Sequence, residues 1–141
     1  MACPYFCPTT PIQERWWPHP LRLPLGGGYR GLCAADPAGD ATPSERALQQ
    51  WCNLGYARGH CARFPPGAGP DAVRFGLSDG GDGLLAVDYA LEQGHLPHQH
   101  GRLEFDTRRR AFLAAPAGRL LRRQAEAYME SYLRQAAKAG Q

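Results

Sequence analysis

Five cysteines, Cys3, Cys7, Cys33, Cys52 and Cys61, fall within the first 61 of 141 residues, and none follows. A domain that needs small apolar side chains has no reason to gather thiols this way. Thiolates are soft ligands, and four of them suit zinc or an iron-sulfur cluster. Three residues separate Cys3 from Cys7 and eight separate Cys52 from Cys61, unlike the two- or four-residue spacing of most zinc ribbons and knuckles. Iron-sulfur sites accept widely scattered ligands and favour an apolar shell with backbone amides aimed at sulfur. Tyr5, Phe6, Trp16, Trp17, Trp51, Tyr56 and Phe64 are available for that shell, and Gly55 and Gly59 allow close backbone approach. A 4Fe-4S cluster is therefore the leading expectation and zinc the alternative. Spacing leaves the choice between Cys3 and Cys7 open. His60, next to Cys61, is a further candidate ligand, although a solvent-facing position is expected for it. Buried thiols and disulfides are the competing readings; the odd count disfavours the second.

Two other groups of residues have chemical potential. His95, His98 and His100 lie in the Gly- and Pro-bounded stretch from Gly94 to Gly101, read as a connection between strands, where imidazoles serve metal, acid or phosphate binding. Arg108, Arg109, Arg110, Arg119, Arg122 and Arg123 form the densest positive region and are candidates for binding an anion, nucleic acid or an acidic partner. The last three sit where a helix should begin, which opposes its dipole, so something must offset them; Glu126 suits pairing with Arg122 or Arg123, and Glu130 with Arg134. Among 16 basic residues only Lys138 is lysine, a skew that points first to genome composition, and the net charge of +3 does not by itself imply a nucleic-acid protein. Carboxylate pairs, a serine elbow and a phosphate-binding glycine loop are not apparent; Gly26-Gly27-Gly28 neither follows a strand nor opens a helix.

The elements that must position these residues divide near residue 70. Residues 1–68 are rich in Pro, Gly and aromatics, so few hydrogen-bonded ladders are expected, and a metal would supply the missing order. One short helix is expected after Thr42-Pro43-Ser44-Glu45, with Thr42 as its N-cap, ending near Trp51 or Cys52. Residues 69–141 alternate: Val73, Phe75 and Leu77, then Leu85, Val87, Tyr89 and Leu91, mark two strands joined through Asp79 to Gly83. A third strand fits Arg102 to Asp106, and a turn near Thr107 to Arg109 returns a fourth through Phe112. From Pro116 to about Ala137, Leu121, Ala125, Tyr128, Tyr132 and Ala136 recur at helical spacing. The expected fold is α+β: an irregular cysteine/metal-centred half with a short helix, then an antiparallel meander covered by a C-terminal helix, the two halves forming one compact unit. No apolar run approaches a bilayer span, so no membrane partner is expected. The N-terminus lacks the character of a secretory signal, which points to the cytoplasm and to reduced thiols.

The segments Cys3-Pro4-Tyr5-Phe6, Arg22-Leu23-Pro24-Leu25-Gly26 and Cys52-Asn53-Leu54-Gly55-Tyr56-Ala57 resemble those of small bacterial cysteine-rich proteins without an assigned activity. The resemblance implies Cys3, Cys33, Cys52 and Cys61 as the ligand set, with Cys7 outside it. The combined expectation is an iron-sulfur protein with a redox, sensing or structural accessory role and a protein partner. The alternative is a zinc-stabilised adaptor binding nucleic acid or an acidic protein, and an enzyme using the histidine stretch ranks third.

Overall fold

The computed structural model describes residues 2–12, 23–35, 39–67, 69–114 and 118–139. Trp16, Trp17 and Pro116, singled out above, lie outside them.

The N-terminal half contains one two-stranded antiparallel sheet, β1 (Phe6–Pro11) and β2 (Tyr29–Cys33), with an irregular register between Pro8 and Thr10. Phe6 is buried, whereas its neighbour Cys7 alternates to the opposite, half-buried side. A single helical turn, α1 (Glu45–Ala47), follows and continues as a π-helical turn over Leu48–Cys52. Its N-cap is Ser44, not Thr42: Ser44 is extended, and its Oγ accepts from the Ala47 amide at 3.1 Å. Pro43 thus precedes the cap, and the expected end at Cys52 is observed.

The second half is the expected meander, in the order β3 (Ala72–Gly81), β4 (Leu84–Gln93), β5 (Leu96–Asp106) and β6 (Ala111–Phe112). Asp82 and Gly83 have φ of 47° and 81°, so two residues with left-handed backbone make the first turn, tighter than the five-residue connection expected. The second connection is also tighter. Gly94 and His95 turn the chain with φ of 61° and 64°, and the strand resumes at Leu96. His95 sits in the turn, and from Leu96 onward the histidine stretch is consequently strand, not loop. Its Pro97 is tolerated because β5 there has β4 on one side only, since β6 pairs just with Phe105 and Asp106. The register slips between Leu91 and Glu92, which leaves His98 as the extra residue of a bulge.

The C-terminal helix, α2 (Arg119–Ala139), covers the sheet as expected but is buried on two sides. Ala125 and Met129 pack with Val87, Leu103 and Phe105, while Ala127 packs with Phe6, Leu25, Tyr29 and Leu48. The apolar periodicity of Leu121, Ala125, Tyr128, Tyr132 and Ala136 did not reveal the second side, because its other members are polar: Gln124 and Ser131 are buried, whereas Tyr132 and Ala136, expected inward, are exposed. The Tyr29 hydroxyl lies 2.7 Å from both the Ala127 carbonyl, to which it donates, and Ser131 Oγ. Ala2 and Val73 exchange backbone hydrogen bonds of 2.7 and 2.8 Å, so the chain's start is joined to β3. Phe75 touches both apolar clusters, and the two halves share a continuous core. No helix among the described residues is long and apolar enough to cross a membrane.

Candidate metal centre

Four of the five cysteines converge from four separate segments. Cys3 is in the turn before β1, Cys33 ends β2, Cys52 ends the π turn, and Cys61 opens the turn to Phe64. Backbone bonds fix each of them. The Cys3 amide donates to the Cys52 carbonyl at 3.1 Å; Cys33 and Ala41 exchange bonds of 2.7 and 2.9 Å; the Cys61 amide donates to Ala57 at 2.8 Å. All four line one small cavity of about 20 Å³, whose walls are otherwise mainly Tyr5, Phe6, Trp51, Ala57 and Phe64. Tyr5 and Phe64 meet edge to face, with ring centres 5.4 Å apart.

Cys7 does not reach this cavity. Its sulfur is 4.0 Å from the Arg119 guanidinium on the far side of β1. His60 is exposed and Tyr56 turns away to hydrogen-bond Glu92, so neither joins the cavity wall. Gly55 and Gly59 serve differently from expectation: with φ of 81° and 82° they permit turns, and a Cβ at Gly59 would meet nothing within 4 Å. Ala35, Ala57 and Arg63 line the cavity without having been anticipated; nothing in their types or spacing marks them. Among the described residues, no group of three or more His, Cys, Asp or Glu side chains is placed so as to hold a metal ion as it stands.

Asn53, also unanticipated as a structural residue, secures the position next to Cys52. It is fully buried, its Oδ1 accepts from the Tyr29 amide, and its Nδ2 donates to the carbonyls of Tyr29 and Leu48, all at 3.0 Å. An Asn53→Ala change should take this partner from the amide and carbonyl of Tyr29, while the Leu48 carbonyl keeps the residue-53 amide at 3.4 Å, and cost roughly 2–4 kcal/mol. Urea unfolding of the metal-free protein will measure it.

Burial pushes the thiols of Cys3 and Cys52 up to about 12, and the other cysteines of the group add to the shift. The amides of Tyr5 and Phe6 act oppositely at Cys3 by hydrogen-bonding to its sulfur. Both thiols are neutral at pH 7 in the metal-free protein, and a metal must displace their protons. A thiol with a folded pKa above its ordinary 9.0 retains its proton on folding. Its contribution to stability is intact below pH 9 and fades as pH rises toward about 12. The loss is at most about 1.4 kcal/mol per pH unit per thiol. Thermal melts of metal-free protein should thus fall more steeply across this range than those of Cys52→Ala, and an equal slope would show that Cys52 titrates normally.

The other candidate groups are dispersed. His95 stacks on Tyr56 with ring centres 4.6 Å apart, His98 occupies the bulge, and His100 lies on the outer sheet face beside Arg74 and Arg102. Of the arginines, Arg123 is structural: it donates to the carbonyls of Pro8 at 2.7 Å and Thr9 at 3.2 Å and pairs with Glu130 at 3.1 Å. These bonds offset its unfavourable place in the first turns of α2. Glu130 is therefore turned to Arg123, and Arg134 instead reaches the Tyr29 hydroxyl at 3.1 Å. Arg119 pairs with Asp40, Arg122 loosely with Glu126 and Arg109 with Asp106. Arg110 and Arg122 border a separate groove between β6 and α2, while Arg108 lies near the Asp82-Gly83 turn, so the six form no single anion site.

No family model, curated protein or solved structure matches this chain.

Proposed function

We propose that this protein holds a 4Fe-4S cluster on Cys3, Cys33, Cys52 and Cys61 and uses it in a redox, sensing or structural accessory role. The observation that carries the reading is the convergence of these four thiols, and not Cys7, on one apolar cavity. Donor chemistry fits too: four soft thiols, apolar walls and amides directed at the Cys3 sulfur are what a cluster requires of its surroundings. A single zinc with Zn–S near 2.3 Å draws its sulfurs to within about 3.8 Å of one another. A cluster instead spreads its ligands over its corners and asks for a cavity between them. Four thiols around one common cavity support the cluster reading. When bound, it would supply one-electron chemistry or a rigid cross-link between four segments. Cys33 and Cys61, the half-buried pair, would leave one side nearer to solvent than Cys3 and Cys52 do. A protein partner and a cytoplasmic location, where thiols stay reduced, belong to the same proposal.

Anaerobic purification or reconstitution with ferrous iron and sulfide tests it. Expected are brown protein with broad visible absorption and about four irons and four sulfides per chain. Colourless protein carrying one tightly bound zinc would replace the cluster with the zinc-stabilised adaptor, and protein that takes up neither metal would reject a metal centre.

A further inference from the structure

Gln124 sits in the middle of the contact between α2 and the cysteine loop and is fully buried. Its Nε2 donates to the carbonyl of Cys3 at 2.7 Å and to that of Phe6 at 2.8 Å. Its Oε1, also buried, has no hydrogen-bond partner among the described residues. The orientation of the amide is nevertheless fixed, because turning it over would set Oε1 against two carbonyl oxygens and forfeit both bonds. A buried oxygen without a partner costs stability, and methionine, of similar length, would not carry that cost. The structure therefore accepts an orphaned oxygen in order to place a two-donor nitrogen here.

That nitrogen holds both ends of one turn. Cys3-Pro4-Tyr5-Phe6 is closed by the Phe6 amide donating to the Cys3 carbonyl at 3.1 Å, and the Tyr5 and Phe6 amides also face the Cys3 sulfur. Arg123, next in the helix, takes the carbonyls of Pro8 and Thr9. Two consecutive side chains thus collect four carbonyls from residues 3–9. We propose that Gln124 is a positioning residue for the cysteine centre: it sets the Cys3–Phe6 turn so that the Cys3 sulfur faces the cavity shared with Cys33, Cys52 and Cys61, with the turn's amides directed at it. The functional consequence rests on the reading of that cavity as a cluster site; the positioning of the turn does not.

The full chain, wild type and Gln124→Met, is compared in two states. In the metal-free state, amides of β4 should exchange as in wild type, whereas those of Tyr5 and Phe6 should exchange faster and Cys3 should alkylate faster. After reconstitution with iron and sulfide, the variant should lose iron to a chelator about 10–100-fold faster, and its remaining cluster should show a shifted reduction potential. A merely stabilising side chain would lower the melting temperature without moving the potential. Gln124→Glu is isosteric, and its neutral form can donate to only one carbonyl, so it should fall between wild type and methionine. It also decides the matter should Gln124→Met fail to fold. Wild-type protection at Tyr5 and Phe6 in the folded variants would overturn the proposal, as would an unchanged potential in loaded protein. Wild type that binds no iron would sink the cluster, and exchange at Tyr5 and Phe6 would still judge Gln124.

Discussion

Replacing Cys52 by serine should strip the protein of its iron, while Cys7→Ser should leave iron content and visible absorption unchanged. A hydroxyl is a harder and poorer ligand than a thiolate, and three remaining thiols leave the site open. If four ligands together contribute on the scale of about 10–16 kcal/mol, losing one forfeits roughly 3 kcal/mol, more than about a hundredfold in affinity. Cys7 is the built-in control, since it lies only a few residues from Cys3 in sequence but faces Arg119 on the other side of β1. Iron analysis of matched anaerobic preparations checks both halves. Serine at Cys7 that removes the iron as thoroughly as serine at Cys52 would mean that the cavity is not the site.

Metal loss should also be read in hydrogen exchange. Among the described residues, the segments that carry the four cysteines have only β1, β2 and a short helical turn for regular structure, so their amides should lose most protection. Independence of the second half is incomplete, however. Ala2 is paired with Val73, and Ala127 and Gln124 pack into the cysteine-bearing half. Protection should therefore fall modestly at the start of β3 and on that side of α2, and least in β4 and β5, whose pairing is continuous over most of their length.

The parts of this architecture that were legible in the sequence are those with local periodicity. Val73, Phe75 and Leu77 alternate against Leu85, Val87 and Tyr89, and that alternation suffices to place the first hairpin. Gly94-His95 hid the next one, because a histidine does not advertise the left-handed conformation it adopts there, and a proline follows two residues later. The short helix was visible but its cap was not, since Thr42 and Ser44 are chemically equivalent donors of a capping oxygen. At the centre, clustering of thiols pointed to the group, and the resemblance, not the spacing, separated Cys3 from Cys7. The residues that hold the group were invisible for a different reason. Asn53, Gln124 and Ser131 are polar and act across long sequence separations, and a buried polar side chain has no signature until its distant partner is known.

Gly31→Ala should be among the most damaging single substitutions in the chain, because a Cβ there would overlap the Cys7 carbonyl and crowd the Phe6 ring. Neither neighbour can move aside cheaply. The carbonyl belongs to a paired strand, with Pro8 opposite Gly31 and Cys7 opposite Leu32, and the Phe6 ring is in the core. Both ends of β2 are also held: Asn53 bonds to the amide and carbonyl of Tyr29, and Cys33 is bridged to Ala41. The strand can relieve the overlap only by separating from β1, which would give up its ladder and move Cys33 away from Cys3. A cost of about 3 kcal/mol or more is expected, at the upper end of what overpacking usually produces because backbone is struck, and a large share of the roughly 5–15 kcal/mol that holds a domain folded. The melting temperature should drop by about 10 °C or more. Gly76→Ala supplies the contrast, since a Cβ at Gly76 meets nothing within 4 Å and its φ is not left-handed. Alanine there should be neutral or slightly stabilising through lower backbone entropy of the unfolded chain. Thermal melts of the two variants side by side measure the difference. A Gly31→Ala protein that melts with Gly76→Ala would show that β1 and β2 are not held in this register, and with it that Cys33 does not reach the cavity.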